Sequence, residues 1–159
     1  MKFSKIAFVT VNQVVKWHED VVDETGGSQG VRDLGLLESA IVRPWQVVFG
    51  YLAHPSVAHM AAALVTGIIQ NHPFIDGNKR TGLFAGLAFL DANGFPIPEP
   101  SDRWVQVAED VACHRIDIDE LAAKFAAAMG TECPVELDDP DDLANADCDP
   151  PAPVTSDQQ

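Results

Sequence analysis

Asn71–Gly82, "NHPFIDGNKRTG", decides how the chain is read, because helix breakers and two adjacent cations stand there between long apolar segments. Upstream, "PSVAHMAAALVTGIIQN" (55–71) is helical and mostly apolar, with Pro55 a good first helical residue. Downstream, "NKRTGLFAGLAFLDANG" (78–94) is apolar on nearly every side, which places it at the centre of a helical bundle. Asn93-Gly94 supplies a left-handed stop. Pro73 and Gly77 interrupt regularity between the two, so the stretch reads as a loop feeding a helix that starts near Asn78.

Further out, "IAFV" (6–9) reads as a short strand. Thr10 caps a helix through "VNQVVKWHEDVVDET" (11–25), where valines recur at helical spacing until Gly26-Gly27 ends it. Asp33 precedes a short amphipathic helix, "LGLLESAIVR", stopped before Pro44. "PWQVVFGYLAH" (44–54) is apolar but broken by Pro and Gly, a loop or small hairpin flap. Its Trp45, Phe49 and Tyr51 read as core residues, with contact to a protein substrate as the alternative. "FPIPEP" is an extended connector. Ser101 caps a fifth helix, and Asp117 with Glu120 resembles a capping box for a sixth, "IDELAAKFAAAMG". The fold class is therefore all-α, about six helices with a small flap.

Charge is uneven along the 159 residues. Of 24 acidic residues, nine lie after Gly130, where there is no Lys or Arg; the first 130 residues hold the other fifteen against all ten bases, a net of −5. Residues 1–130 read as one domain and 131–159 as a disordered acidic tail, rich in Pro, Asp and Ala. That balance argues against nucleic-acid or anionic-membrane binding, which needs clustered Lys and Arg. Cys113, Cys133 and Cys148 have no metal-like spacing and read as reduced thiols. No signal peptide or membrane span is expected, so the expected location is cytoplasmic. His18, His54, His59 and His114 show no ligand spacing, and Trp17 and Trp104 read as core.

The first turn of a helix leaves backbone N–H groups unpartnered and carries roughly half a positive charge. Lys79 and Arg80 in that turn oppose the dipole, which makes sense if an anion lies over the helix end. Phosphate is the obvious one. Asp76 would repel it unless a divalent cation lay between them, and Mg²⁺ is typically held by one or two carboxylates plus substrate phosphates. His72 can take a proton from an attacking hydroxyl at neutral pH. Each residue alone has a plainer reading: a structural His, a solvated Lys-Arg pair, an Asp-Gly turn. Gathered within a few positions, they point to phosphoryl or nucleotidyl transfer.

His72 to Arg80 resembles the Fic/Doc (Fido) motif, His-x-Phe-x-Asp/Asn-Gly/Ala-Asn-x-Arg. It is similar to the Doc, or death-on-curing, branch, because Lys79 stands where Fic enzymes usually carry glycine. "GGSQGVRDLGLLESAIVRP" (26–44) and "LFAGLAFLDANG" (83–94) extend the resemblance, which covers about residues 4–128. It implies a Fido-type bundle using ATP and Mg²⁺, with the motif loop between two central helices and a flap that positions the target. His72 would be the base and Asp76 the Mg²⁺ ligand. Gly77 and Asn78 would line the phosphate nest, Lys79 and Arg80 would grip phosphates, and Phe74 would anchor the loop.

Doc-type toxins are held to phosphorylate a threonine of elongation factor Tu, halting translation, and are restrained by a Phd-like antitoxin. Fic enzymes instead transfer AMP. Lys79 fills space that glycine leaves open for a Fic-style nucleotide, and Leu83 stands where many Fic enzymes have a second arginine. Both departures favour the kinase reading over AMPylation. The inhibitory Ser/Thr-x-x-x-Glu-Gly/Asn motif of self-restrained Fic proteins is absent. A non-catalytic Fido module that only binds a partner is the third reading. The tail could mimic nucleic acid, compete for Lys79 and Arg80, or serve solubility.

Overall fold

The computed structural model describes residues 1–98 and 102–138. Helix α1 (Val11–Thr25) opens with a full capping box: the Gln13 N–H donates to Thr10 Oγ1, and Gln13 Oε1 accepts from the Thr10 N–H. Asp33 caps α2 (Leu34–Val42) by accepting from the Leu36 N–H at 3.0 Å. A 3₁₀ turn at Arg43–Trp45 carries Pro44 into a two-stranded hairpin, β1 (Val47–Val48) and β2 (Tyr51–Leu52). Phe49 and Gly50 between the strands both have positive φ, the backbone of a tight hairpin turn. Helices α3 (Val57–Asn71), α4 (Asn78–Ala92), α5 (Asp102–Ala112) and α6 (Ile118–Met129) complete the described elements.

Helix α3 is the central element, rather than α4 as its apolar sequence suggested. Met60, Leu64 and Ile68 are fully buried, and α2, α4, α5 and α6 all pack against α3. Truncating one such side chain to alanine costs about 2–5 kcal/mol. Phe84 of α4, by contrast, faces outward beside Trp17, 5.5 Å between ring centroids. Close contact of α3 and α4 depends on small residues: a Cβ at Gly82 would lie 2.8 Å from Ile69 Cγ1, and one at Gly86 would collide with Val65.

Some local expectations are corrected. "IAFV" is not a regular strand. Phe3–Lys5 form a 3₁₀ turn, and the Ala7 N–H and C=O bond to the Asn93 side chain at 2.8 and 3.1 Å. Pro55 lies outside α3, whose cap is Ser56, accepting from the His59 N–H. Trp104 is buried against Phe125, and Trp45 packs against Phe3, Phe8 and Phe89. Phe49 and Tyr51 are not core: they are 95% and 77% exposed at the hairpin tip. The expected cap at Ser101 and the last two residues of the connector lie outside the described residues.

Residues 131–138, which follow Gly130, lie against the body of the protein. Cys133 O and Glu132 O accept from the Val57 and Ala58 N–H groups at 2.9 and 3.2 Å, so this segment caps the start of α3. The Val135 side chain is buried, and Pro134 O accepts from the amino group of Met1 at 2.8 Å. These links run through backbone atoms, which leave no mark in side-chain periodicity. The disordered tail was expected from Thr131 onward; residues 139–159, with Cys148, lie outside the described residues. Among the described residues no helix is long and apolar enough to cross a membrane.

Candidate active site

Helix α3 ends at His72, whose φ of 52° and ψ of 53° are left-handed, a costly conformation for a residue with a side chain. Pro73 disfavours continuation of the helix at that position. Arg32 then holds the helix end. Its Nε donates to His72 O at 2.8 Å and its Nη2 to Asn71 O at 3.1 Å, satisfying two carbonyls that the helix leaves open. The Arg32 and Asp33 N–H groups both donate to Pro73 O, and the Ile75 N–H donates to Gly30 O. Segment 27–33 thus runs along the motif loop and fixes its path. The His72 imidazole is left exposed at the rim of a cleft.

Two buried side chains shape the loop from beneath. Phe74 is fully buried and stacks on His18, with centroids 3.9 Å apart and planes within 4°. The His18 Nε2–H donates to Asp76 O at 2.7 Å, which fixes its tautomer and aims the loop. Asn78, 5% exposed, exchanges two hydrogen bonds with the backbone of Phe74. Its amide closes the loop beneath the cleft; its backbone N–H sits in the first turn of α4.

The Asp76 carboxylate is exposed yet doubly anchored. Oδ1 accepts from the Gly77 N–H at 2.8 Å and Oδ2 from the Ser28 N–H at 3.2 Å. These donors, Gly77 first, hold its carboxyl below the usual carboxylate range, and the Arg80 guanidinium adds a smaller pull. Arg80 Nη1 donates to Thr25 Oγ1 and to Gly26 O at 3.0 Å, tying α4 to the end of α1, while Nη2 stands 3.9 Å from Asp76. Gly27 (φ 119°) is where the upstream segment passes closest: a Cβ there would run into Asp76 Oδ2.

Lys79 reaches across the cleft to α5, where its Nζ lies 2.7 Å from Glu109 Oε2. Hydrogen bonds from Lys79 and then from the Cys113 thiol hold the Glu109 carboxyl below the carboxylate range. His72, Asp76, Gly77, Lys79, Arg80 and Glu109 all line one cleft of about 560 Å³, floored by Leu83 and walled by Val105 and Ala108.

Every sequence-predicted site residue therefore meets at one cleft. The side chains of Asn78 and Arg80 are already engaged with backbone, while His72 and Asp76 face outward. Arg32, His18, Ser28 and Glu109 were not singled out as site residues. Arg32 and Ser28 stood in a segment marked by the family resemblance; His18 and Glu109 carried no signal short of the contacts themselves. Among the other histidines, His59 binds Ser56 Oγ at 2.7 Å, and His114 is exposed. Burial, with Arg43 nearby, lowers the pKa of His54.

Asp76 has the chemistry to join a magnesium site. It is ionised and open to the cleft, and each oxygen keeps a lone pair beyond its N–H bond. No cluster of three or more metal-ligating side chains occurs among the described residues, so the remaining ligands would be phosphate and water.

Comparison with known sequences agrees with this geometry. The sequence profile of the Fic/DOC family matches residues 8–90, from the segment before α1 almost to the end of α4. Toxin Doc of Mycolicibacterium smegmatis (strain ATCC 700084 / mc(2)155) is 40% identical over 111 residues, which span 67% of this chain and 85% of that protein. On both grounds, this chain belongs to the Fic/DOC family.

Proposed function

We propose that the protein is a Doc-like toxin of a toxin–antitoxin pair that transfers a phosphoryl group from ATP to a protein hydroxyl, with a threonine of elongation factor Tu as target. Fic/DOC enzymes are transferases that act on proteins and use nucleotide substrates. One observation carries the reading: His72 is held in a left-handed helix cap at the rim of the cleft that also contains Asp76, the Gly77 turn and two cations. A conformation this costly, fixed by Arg32 and Pro73, is the kind of strain that accompanies a working site.

In this reading an imidazole nitrogen of His72 takes the acceptor hydroxyl's proton as the oxygen attacks the γ-phosphorus. The new O–P bond forms as the bond to ADP breaks, and ADP leaves with the displaced electron pair. The first-turn N–H groups of α4, with Lys79 and Arg80, face the charge on the phosphates. Asp76 would hold Mg²⁺ together with those phosphates, neutralising charge during transfer. Lys79 supports the kinase reading over AMPylation, since its side chain occupies the cleft where a glycine would leave room.

Restraint by a Phd-like antitoxin fits the name of the relative from M. smegmatis. Incubation with cell extract and labelled ATP tests the reaction. Transfer of γ label to a protein is the expected result. Transfer of α label would replace the kinase by an adenylyltransferase, and transfer of neither would leave a binding module.

A further inference from the structure

We propose that Glu109 is a specificity-determining residue that sets how strongly the cleft takes phosphate, by acting as a built-in competitor for Lys79; this rests on the nucleotide reading above. Glu109 and Lys79 lie on different helices, α5 and α4, and meet 2.7 Å apart inside the cleft that also holds His72 and Asp76. Lys79 Nζ is thus already engaged by an anion at the point where a phosphate would need it. The competitor is ionised throughout the neutral range, because Lys79 and the Cys113 thiol both donate to it.

The charges of the cleft lead to the same place. Asp76 and Glu109 offset Lys79 and Arg80, so the lining carries no net positive charge when His72 and His114 are both neutral. A triphosphate entering such a site must displace one carboxylate from its lysine and approach it as a like charge. The pair is about half exposed on both sides, at 52% and 43%, so displacement is cheap enough to be reversible. The result is a site that binds nucleotide weakly unless magnesium accompanies it, and that prefers ligands able to outbid a single carboxylate. Oligophosphates with vicinal oxygens do this; a monophosphate does so poorly.

Calorimetry on the full chain and on the E109Q, K79A and K79A/E109Q variants tests this, with magnesium-ATP and inorganic tripolyphosphate as probes. Glutamine keeps the shape of Glu109 and removes its charge. The expected result is about three- to tenfold tighter binding of both probes by E109Q, and no such gain in the K79A background. Unchanged or weaker binding by E109Q, with the wild type still binding, would overturn the competitor role and leave the proposed function standing. A gain that persists without Lys79 would also overturn it, since the effect would then be general electrostatics. Failure of all four proteins to bind either probe would remove the nucleotide reading together with it. Binding confined to E109Q would be the competitor role at its strongest.

Discussion

The side-chain amide of Asn78 and the backbone of Phe74 form a closed two-bond ring: the Phe74 N–H donates to Oδ1 at 2.9 Å, and Nδ2 donates to Phe74 O at 3.0 Å. The ring turns four residues of chain into a rigid loop between α3 and α4. Asn78→Ala would strand a buried donor and a buried acceptor, for a loss of about 2–4 kcal/mol. Asn78→Asp keeps the acceptor but loses the donor, and should fall between. Urea unfolding of the two variants measures both losses. Near-wild-type stability in Asn78→Ala would mean the ring contributes little.

Under the proposed function, Arg32 would act on catalysis through the backbone beneath His72. Arg32→Ala frees the carbonyls of Asn71 and His72 and lets the left-handed cap relax. The expected outcome is at least a tenfold fall in kcat, because small misplacements of a base are costly. KM for ATP should change little. Arg32→Lys cannot supply the two-pronged donor, so it should recover only part of the rate.

Gly27→Ala places a methyl group against the Asp76 carboxylate at a φ of 119°, a backbone that suits glycine alone. The hydrophobic core is not involved, so a stability loss of about 1–2 kcal/mol is expected. Magnesium dependence should shift more visibly, with a higher concentration needed for half-maximal activity. Titration of activity against Mg²⁺ reads this directly.

Acidity should act on Asp76 only at low pH. Its folded pKa is depressed below the ordinary 3.8, so the stabilisation it gives is fully present above that value and is lost as pH falls through the folded pKa. Asp76→Asn should therefore abolish one component of acid sensitivity below about pH 4. Stability between pH 6 and about 8 should keep the same slope. Unfolding midpoints measured across pH 2 to about 8 decide it.

Local chemistry made much of this fold legible. Thr10, Gly26 and Asp33 each mark an end of a helix within one turn of chain, and each was readable in isolation. The site was legible as a cluster because His72 to Arg80 are neighbours in sequence. What escaped was long-range. Ser28 reaches Asp76 across 48 residues, His18 across 58, and Glu109 meets Lys79 across 30; no periodicity encodes such meetings. The placement of α3 at the centre escaped for a related reason. Two apolar helices compete for that position, and the small residues of α4 let it sit closely alongside without being enclosed on every side.

The central claim is that His72 accepts a proton from an acceptor hydroxyl while phosphate is held at the start of α4. Its most direct test compares γ-phosphate transfer to protein by the wild type and by His72→Ala, at matched folding and saturating magnesium-ATP. The account predicts a fall of about 100-fold or more, with nucleotide affinity retained. Transfer by His72→Ala within about threefold of wild type would contradict it, since a general base is worth far more than that.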